Sequence, residues 1–291
     1  KPVLADITNQ RMMRKVLETY KPHIVFNAAA YKHVPMMEES PYEAVRVNIG
    51  GTKILADLSV EFGVEKFVMV STDKAVNPTN VMGASKRMCE LYIQSLSQLP
   101  EKKTAFVTTR FGNVLGSNGS VVSLFKRQIA QGGPVTVTHP EITRFFITIP
   151  EACQLVLEAS FMGNGGEIFV FDMVEPVRIA DLAEKMIKLS GLKLGEDIDI
   201  VYTGLRPGEK LYEELLASKE HTKPTYHDKI MISNVKTCDF NDINRQILGL
   251  LESAYNESEE LIVARMKELV PEFNPQNERY RRLLVARELS V

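Results

Sequence analysis

Groups that can move protons stand together in the stretch VSTDKAVNPTNVMGASK, which runs from Val70 to Lys86. They are the hydroxyls of Ser71 and Thr72, the carboxyl of Asp73 and the amine of Lys74. An adjacent acid and amine can divide proton donation and acceptance between them when their pKa values differ. Lys86 follows Met82 by four residues, so the two side chains share one helix face. A solvated loop rich in Asp and Asn is the alternative interpretation.

The elements around this stretch favour a site over a plain loop. The apolar run Lys66–Val70 is typical of a buried parallel strand, and the segment after the loop has the pattern of an amphipathic helix that ends at Pro100. The apolar side of this helix comprises Met88, Leu91, Tyr92, Leu96 and Leu99. Open α/β sheets bind their ligands at the carboxyl ends of such strands. The loop at residues 71–80 is therefore the first candidate site.

Strands and helices alternate through about the first 170 residues, which predicts βαβ units and a parallel sheet. The predicted strands cover residues 2–7, 23–27, 66–70, 105–110 and 167–171. Thr8 or Asn9 caps the first helix, and Ser40-Pro41-Tyr42-Glu43 and Thr148-Ile149-Pro150-Glu151 have the form of capping boxes. Asn48, Gly50 and Gly51 lie inside a predicted helix, where each glycine costs about 1 kcal/mol, so we expect close packing or a distorted turn there.

The rest of the chain has a different pattern. Residues 135–138 alternate like a short exposed strand, residues 198–202 and 229–233 read as short strands, and the chain from about 241 reads as two or three surface helices. We predict an α/β fold with a parallel sheet, followed by a smaller α+β part that packs on the carboxyl edge of the sheet.

The composition of the 291 residues, with a net charge of −2, gives no reason to expect nucleic acid as a partner. The three cysteines form no CxxC pair and the five histidines form no HxxxH or HExxH pattern, so we expect no metal. The sequence has no run of 18 apolar residues and no signal peptide, and the cysteines suit a reducing cytoplasm.

Four motifs carry a resemblance to a known family. They are NAAAYKHVPMME at 27–38, STDKAVNPTN at 71–80, RFGNVLGS at 110–117 and RPGEKL at 206–211. The chain resembles the extended short-chain dehydrogenase/reductases that act on nucleotide sugars. Within them it is most similar to the CapD-like polysaccharide-biosynthesis proteins, the UDP-N-acetylglucosamine 4,6-dehydratases. The resemblance covers residues 1 to about 216, and the later residues match nothing recognisable. It implies a Rossmann-like parallel sheet that here lacks its first two strands, with a smaller α+β C-terminal substrate part. The implied divisions are 1–172 for a partial NAD(P)-binding Rossmann domain, 173–240 with 110–150 for sugar-nucleotide binding, and 241–291 for a C-terminal helical extension.

The resemblance implies a redox-neutral cycle with a tightly bound, recycled NADP or NAD. The sugar C4 is oxidised, water is eliminated across C5 and C6, and the hydride returns to C6. By the same resemblance, Thr72 would hydrogen-bond the C4 oxygen, Asp73 would protonate the departing 6-hydroxyl and Lys74 would be the base at C5. Lys86 matches the lysine of the family's YxxxK pair and would hold the nicotinamide ribose and lower the pKa of the C4 hydroxyl.

The chain departs from the family pattern in two places. Met82 stands where the YxxxK pair has tyrosine, and a thioether cannot accept the C4 hydroxyl proton. This departure favours a branch of larger, membrane-attached members, and our hypothesis is that Asp73 or Lys74 takes that proton. Secondly, the sequence has no GxGxxG phosphate loop. We therefore expect a piece of a longer protein, one that binds the cofactor weakly by itself and whose upstream part holds the pyrophosphate and a membrane anchor.

The resemblance also assigns binding residues. The predicted cofactor contacts are Asp6, Ile7, Ala28, Ala29, Ala30, Asn48 and Lys86. The predicted substrate contacts are Lys32, Asn113, Ser120, Val121, Arg144, Arg206 and Glu209. An arginine fork suits a diphosphate, and a surface salt bridge is the alternative for both arginines.

The resemblance therefore predicts a lyase that dehydrates a UDP-N-acetylhexosamine for surface polysaccharide synthesis. A nucleotide-sugar 4-epimerase and a truncated, non-catalytic sugar-nucleotide-binding module are the alternatives. The Asp73–Lys74 pair and Met82 favour the dehydratase, because an epimerase needs no base at C5 and keeps the tyrosine. We also expect a homo-oligomer, with the full-length protein in the cytoplasm at the inner face of the membrane.

Overall fold

The computed structural model describes residues 1–100, 103–173, 175–214, 221–234 and 238–282. The elements of the first half are α1 (Gln10–Tyr20), β1 (Ile24–Asn27), α2 (Val34–Glu39), α3 (Pro41–Glu43), a π-helical segment (Ala44–Gly50), α4 (Gly51–Glu61), β2 (Lys66–Val70), a 3₁₀ turn (Asp73–Ala75), α5 (Val81–Ser97), β3 (Ala105–Arg110), β4 (Asn113–Val114) and α6 (Val121–Ala130). Those of the second half are β5 (Val135–Val137), β6 (Thr143–Arg144), β7 (Phe146–Ile147), α7 (Ile149–Met162), β8 (Ile168–Phe171), β9 (Val177–Arg178), α8 (Ile179–Leu189), β10 (Ile200–Tyr202), β11 (His221–Pro224), β12 (Ile230–Asn234), α9 (Phe240–Ser253) and α10 (Glu259–Leu269).

The main sheet has the strand order β1-β2-β3-β8-β12-β11. The first four strands are parallel, and β12 and β11 continue the sheet in antiparallel register. The strands β2, β3 and β8 are buried because helices cover both faces of the sheet, which is why their sequences are almost continuously apolar. The predicted α/β class and parallel sheet are confirmed.

The predicted strand at residues 2–7 is wrong. This segment has no strand assignment, its first five residues are exposed, and Leu4 is fully exposed. The backbone of a strand is satisfied by a neighbouring strand, and the described residues place none beside this segment. The segment therefore stays unpaired although its sequence would suit a strand.

Helix starts were predicted with mixed success. The side chain of Asn9 accepts from the Met12 N–H and begins α1, and Thr148 accepts from the Glu151 N–H at the start of α7, so these caps are confirmed. The capping box at Ser40 is wrong. Ser40 makes no side-chain cap bond, since the Glu43 N–H donates to the Ser40 carbonyl oxygen at 3.0 Å. The Glu43 carboxylate accepts from Arg46 at 2.8 Å instead of from the Ser40 N–H.

The distortion predicted around Asn48, Gly50 and Gly51 is confirmed as the π-helical segment. An added Cβ on Gly51 would lie 2.4 Å from Ile7 Cδ1, and one on Gly50 would lie 3.0 Å from Leu251 Cδ2. Because these glycines have no side chains, Ile7, which precedes α1, and Leu251 of α9 can pack closely against this segment. The wider π turn carries Asn48 into the interior, where it is completely buried.

Helix α5 is the centre of the largest apolar cluster and is not the amphipathic helix that its sequence predicted. Sixteen of its 17 residues are buried, because α9 and α10 pack against the side that would otherwise face solvent. The prediction of surface helices from about residue 241 is confirmed for these two, which expose one side and bury an apolar side that includes Ile247, Val263 and Met266. Residues 135–137 form a strand as predicted, but pairing with β10 buries Val135 and Val137.

A smaller cluster lies among α6, α8, β5 and β10, and its buried members include Phe125, Ile129 and Ile187. This part carries the loops that face the carboxyl ends of β2 and β3. Among the described residues, no helix combines the length and the apolar character needed to cross a membrane.

Candidate active site

A cavity of about 320 Å³ lies where the main sheet's strands β1, β2 and β3 end. Ten of the residues predicted for a site line it, namely Ala28, Ala30, Lys32, Thr72, Lys74, Met82, Lys86, Asn113, Ser120 and Val121. Ser71 of the predicted candidate loop lines it too, as do His33 and Ser117, to which the sequence assigned no role. The position agrees with the general placement of ligands at the carboxyl edge of an open α/β sheet.

The triplet Thr72-Asp73-Lys74 forms one hydrogen-bonded chain at the end of β2. The Thr72 hydroxyl donates to Asp73 Oδ1 at 2.8 Å, and the Lys74 ammonium donates to the same oxygen at 3.0 Å and to Asn113 Oδ1 at 3.1 Å. Asp73 is completely buried and does not line the cavity, whereas Thr72 and Lys74 do. Protons can therefore pass between the cavity and Asp73 only through its two neighbours.

Two carboxylates flank Lys74. Glu213 Oε1 lies 3.6 Å from Lys74 Nζ on the side opposite Asp73. Burial of the amine disfavours its charged form, but the charges of Asp73 and Glu213 outweigh burial and raise the pKa of Lys74. Lys74 is thus a cation in the resting site and acts as a base only after its proton has moved. Sequence reasoning missed Glu213, which lies two residues beyond the RPGEKL motif.

Asp73 and Glu213 each have an oxygen without a partner. Asp73 Oδ2 and Glu213 Oε2 are buried and accept no hydrogen bond from the described residues. A buried acceptor without a donor costs free energy, so such oxygens are candidates for a proton or a ligand. A Cβ on Gly112 would lie 3.3 Å from Asp73 Oδ2, so the glycine backbone comes close to this oxygen.

Lys86 and Met82 face the cavity from the first turns of α5. The Lys86 side chain is almost completely buried and has no hydrogen bond or ion pair with a described residue. Its burial lowers its pKa, an effect that the nearby Cys89 and Glu90 oppose. An amine that is buried and unpartnered beside a cavity is suited to a ligand hydroxyl. Met82 contributes only its thioether.

Asn48 holds the loop after β1 to α5. Its Oδ1 accepts from the Tyr31 N–H at 2.7 Å, and its Nδ2 donates to Tyr31 O at 3.0 Å and to Ser85 Oγ at 2.9 Å. Asn48 is therefore satisfied and positions the loop of Ala28–Ala30 without lining the cavity. Lys32 connects this loop to the loop that follows β4 by donating to Ser117 Oγ at 3.2 Å.

The remaining predicted cofactor contacts lie away from the cavity. Asp6 is exposed and its carboxylate bonds to the backbone and hydroxyl of Thr8, while Ile7 packs against Gly51 and Ala29 donates to Asn27 Oδ1. Their proposed roles near the adenine and pyrophosphate stay predictions.

Arg144, Arg206 and Glu209 line a second cavity of about 120 Å³, which shares Lys74 and Asn113 with the first. Arg206 is half-exposed and bonds to Glu209 at 2.9 Å, an exchangeable pair. Arg144 is buried, and its guanidinium donates to Thr143 O, Lys210 O and Leu211 O. The arrangement presents Arg206 to a ligand and uses Arg144 to hold the 206–213 loop in place. Phosphate binding by either residue stays a prediction.

The closest backbone approach at the site joins Gly83 of α5 to the loop of Lys74. A Cβ on Gly83 would lie 2.2 Å from the Lys74 carbonyl oxygen, so Gly83→Ala must separate helix and loop. We expect Gly83→Ala to lower the free energy of unfolding by about 1–3 kcal/mol, as overpacking does. Urea denaturation measures this difference.

Gly249→Ala is the matched control. Gly249 lies inside α9 with no atom within 4 Å of an added Cβ. Alanine there is expected to raise the free energy of unfolding by about 0.5–1 kcal/mol because it is the better helix former. Equal urea midpoints for the two variants would contradict the close approach at Gly83.

Comparison with known proteins gives a family match and close relatives. The model of the polysaccharide biosynthesis protein family matches residues 1–235. The chain is 58% identical over 229 residues to the capsular polysaccharide biosynthesis protein CapD of Staphylococcus aureus, covering 79% of this chain and 38% of CapD. The chain thus spans well under half the length of that relative.

Two further relatives have different names. The inverting UDP-N-acetylglucosamine 4,6-dehydratase of Campylobacter jejuni is 36% identical, with 77% of this chain and 66% of that protein covered. A UDP-glucose 4-epimerase of Rickettsia rickettsii is also 36% identical, with 76% and 63% covered.

Among solved structures, Pen from Bacillus thuringiensis superposes with a TM-score of 0.73 at 32% identity, covering 86% of this chain and 81% of that one. The UDP-glucose 4-epimerase of Thermus thermophilus in complex with NAD superposes with a TM-score of 0.63 at 21% identity, covering 70% and 72%. This second likeness shows the shared Rossmann fold alone.

Proposed function

The chain belongs to the polysaccharide biosynthesis protein family, and from this premise we propose that it carries the catalytic centre of a UDP-N-acetylhexosamine 4,6-dehydratase. The substrate we propose is UDP-N-acetylglucosamine, the substrate in the name of the Campylobacter relative. The observation that carries the proposal is the hydrogen-bonded Thr72-Asp73-Lys74 chain facing a cavity at the end of β2. A dehydratase needs proton transfer at C4, at C5 and at the 6-hydroxyl, and this chain joins two cavity-facing groups to a buried carboxyl.

The residues at this cavity fit the nicotinamide end of a dinucleotide. Lys86 offers a buried amine without a partner, and Ala28 and Ala30 present only methyl groups to the same space. When bound, a nicotinamide cofactor takes up a hydride from the sugar and later returns it. The GxGxxG loop that many such folds use for the pyrophosphate is absent from this sequence.

The protons of the dehydration must balance. The C4 hydroxyl loses one proton, the departing 6-hydroxyl gains one and leaves as water, and the proton removed from C5 is replaced at the end. The proton from the C4 hydroxyl can therefore supply the leaving group. Thr72, Asp73 and Lys74 offer a route between these positions because each is hydrogen-bonded to the next.

Within this scheme Thr72 binds the C4 oxygen, and Asp73 receives the C4 proton through the Thr72 hydroxyl. The Thr72 hydroxyl thereby replaces the tyrosine that Met82 lacks as the first acceptor of the C4 proton, because it lies between the cavity and the Asp73 carboxylate. Asp73 remains the source of the proton for the 6-hydroxyl, but its burial requires delivery through Thr72 or Lys74. Lys74 removes the C5 proton once its own proton has passed to Glu213, because Asp73 already holds the C4 proton for the departing 6-hydroxyl.

The binding of the sugar nucleotide follows from the same cavity walls. Asn113, Ser120 and Val121 line the part of the cavity opposite Lys86, where we place the sugar and the uridine. Arg206, exposed at the mouth of the adjoining cavity, can exchange Glu209 for a diphosphate oxygen.

A 4-epimerase is the second candidate, and the rickettsial relative with that name is the observation that favours it. An epimerase oxidises and reduces C4 without touching C5. The acid–amine pair beside Asn113 would then have no task at C5, so we rank this function second.

The test is incubation of the full-length protein with UDP-N-acetylglucosamine in deuterium oxide. We expect a product lighter by one water and carrying one deuterium at C5, because the C5 proton exchanges with solvent through Lys74. Mass spectrometry with NMR locates the label. A product of unchanged mass with an inverted C4 would identify the epimerase instead.

Asp73→Asn and Lys74→Ala complete this test. Each is expected to abolish the loss of water while leaving the fold unchanged in circular dichroism. Full turnover by both variants would show that the proposed proton carriers are wrong even if the reaction is right.

A further inference from the structure

The C-terminal strap, which we define as residues 272–280, returns to the loop before α5. The Asn274 N–H donates to Pro78 O at 2.9 Å, and the Gln276 N–H donates to Thr79 O at 2.9 Å. These two backbone bonds fix the strap alongside the last residues before the helix that carries Met82 and Lys86. The family match ends at residue 235, so the strap lies outside it.

Glu38 joins the strap to the first residue of α5. This carboxylate is buried, its Oε1 accepts from the Val81 N–H at 2.7 Å, and its Oε2 accepts from Asn277 Nδ2 at 2.9 Å. Tyr280, also buried, donates its hydroxyl to the Glu38 carbonyl oxygen. A carboxylate is favoured at a helix N-terminus, where the N–H groups have no partner inside the helix. Glu38 is used in neither proton transfer nor cavity lining.

A second connection runs from the strap to the cavity through ion pairs. Glu272 accepts from Arg87 Nε at 2.7 Å, and Arg87 donates to Glu90 at 3.1 Å. Glu90 in turn accepts from the hydroxyl of Ser71 at 2.7 Å, and Ser71 lines the cavity. The strap thus reaches both sides of the site, the start of α5 and the end of β2.

The strap is anchored by apolar packing as well. Phe273 and Tyr280 are completely buried in the same cluster as Val81 and Met82. Such anchoring is what a rigid support for a catalytic helix requires, because small displacements of reacting groups cost large factors in rate.

We infer that Glu38 is a positioning residue, and that the C-terminal strap holds it so that the start of α5 places Met82 and Lys86 in the cavity. The hydrogen bonds of Glu38 to Val81 and Asn277 transmit the position of the strap to the helix. The consequence for catalysis rests on the proposed dehydratase function, whereas the consequence for the order of α5 does not.

The first experiment measures hydrogen exchange of the peptide Val81–Lys86 in the 291-residue chain. Asn277→Ala removes the donor to Glu38 at a half-buried position and is expected to speed exchange in this peptide by about tenfold. Asn256→Ala, at an exposed asparagine of the same C-terminal part, is the matched control and should leave the exchange unchanged. Equal exchange in the two variants overturns the inference.

The second experiment compares kcat and KM in the full-length protein. Glu38→Leu and Asn277→Ala are expected to lower kcat about tenfold or more with KM for UDP-N-acetylglucosamine within twofold, because the substrate's walls are untouched. Glu38→Gln should recover most of the loss, since its amide oxygen can accept from the Val81 N–H and its amide nitrogen can donate to a turned Asn277. An unchanged kcat in Asn277→Ala overturns the inference.

The two experiments separate the inference from the proposed function. A wild-type protein without turnover defeats the dehydratase proposal, and the exchange of Val81–Lys86 then decides the positioning role by itself. If Glu38→Leu fails to fold, Asn277→Ala carries both measurements, because it removes only two hydrogen bonds, the one to Glu38 and the one that Asn277 Oδ1 accepts from the Arg279 N–H.

Discussion

Lys74→Met is expected to slow the loss of water from UDP-N-acetylglucosamine by about a thousandfold, within the range usual for a lost acid–base group. Methionine fills much of the volume of the lysine stem but can neither hold nor accept a proton. The change also leaves Asp73 and Glu213 without the cation between them, at 3.0 and 3.6 Å from Nζ. Single-turnover kinetics of the full-length variant measure the effect directly.

Substrate binding should survive this substitution. Most of the cavity wall is built by other residues, among them Asn113, Ser120 and Val121, so the affinity for UDP-N-acetylglucosamine by calorimetry is expected to change only a few-fold. A loss of rate that came entirely from lost binding would contradict a role of Lys74 in the chemistry.

Lys53→Met is the matched control for Lys74→Met. Lys53 is likewise a mostly buried lysine paired with an aspartate, Asp57, at 2.7 Å, but it lies on α4 and does not line the cavity. Its rate of turnover is expected to equal that of the wild type. A similar loss in both variants would point to general disruption rather than proton transfer.

The sequence predicted the central strands of the sheet well, because strands that are buried on both faces are rich in apolar residues along their whole length. Residues 66–70 and 105–110 are continuous apolar runs with short polar ends, and both form strands. The segment at residues 2–7 has a similar character, yet strand formation depends on a neighbour as well as on the residues themselves. Local sequence carries no information on whether that neighbour is present.

Helix α5 shows the opposite error. Its spacing of apolar residues predicted one buried side, but polar residues such as Glu90 and Gln94 are buried as well. Glu90 is accommodated by Arg110 of β3 and Ser71 at the end of β2, whereas Gln94 Oε1 has no partner among the described residues. Interactions between residues nearly 200 positions apart, such as Arg87 with Glu272, have no signature in local periodicity.

The sequence likewise predicted some residues of the candidate site and missed others. Residues contributed by one loop, Thr72, Asp73 and Lys74, were found together because they are adjacent in sequence. Glu213 was missed because its importance comes from lying 3.6 Å from Lys74, a proximity that only the folded chain creates. The burial of Asp73 behind Thr72 was likewise outside the reach of sequence reasoning, and it changes the route by which a proton reaches the substrate.

Glu90→Gln is expected to cost about 3–5 kcal/mol of unfolding free energy at pH 7, the range for breaking a buried ion pair. Both Glu90 oxygens accept from Arg110, at 2.8 and 2.6 Å, and Arg87 adds a third bond. Burial alone would raise the pKa of Glu90, but the two arginines and Ser71 outweigh it and lower the pKa to about 2. Urea denaturation at pH 7 measures the cost.

The stabilisation by Glu90 is expected to weaken at low pH. The folded pKa of about 2 lies below the ordinary 4.5, so the stabilisation by Glu90 is complete above pH 4.5 and is lost as the pH falls toward 2. The difference in the free energy of unfolding between wild type and Glu90→Gln should therefore become smaller from pH 7 to pH 3. Glu61→Gln, which breaks an exposed pair with Arg14, is the control and should leave the urea midpoint unchanged at both pH values. If the difference in unfolding free energy between wild type and Glu90→Gln stays constant with pH, Arg110 and Arg87 do not hold the carboxylate ionised.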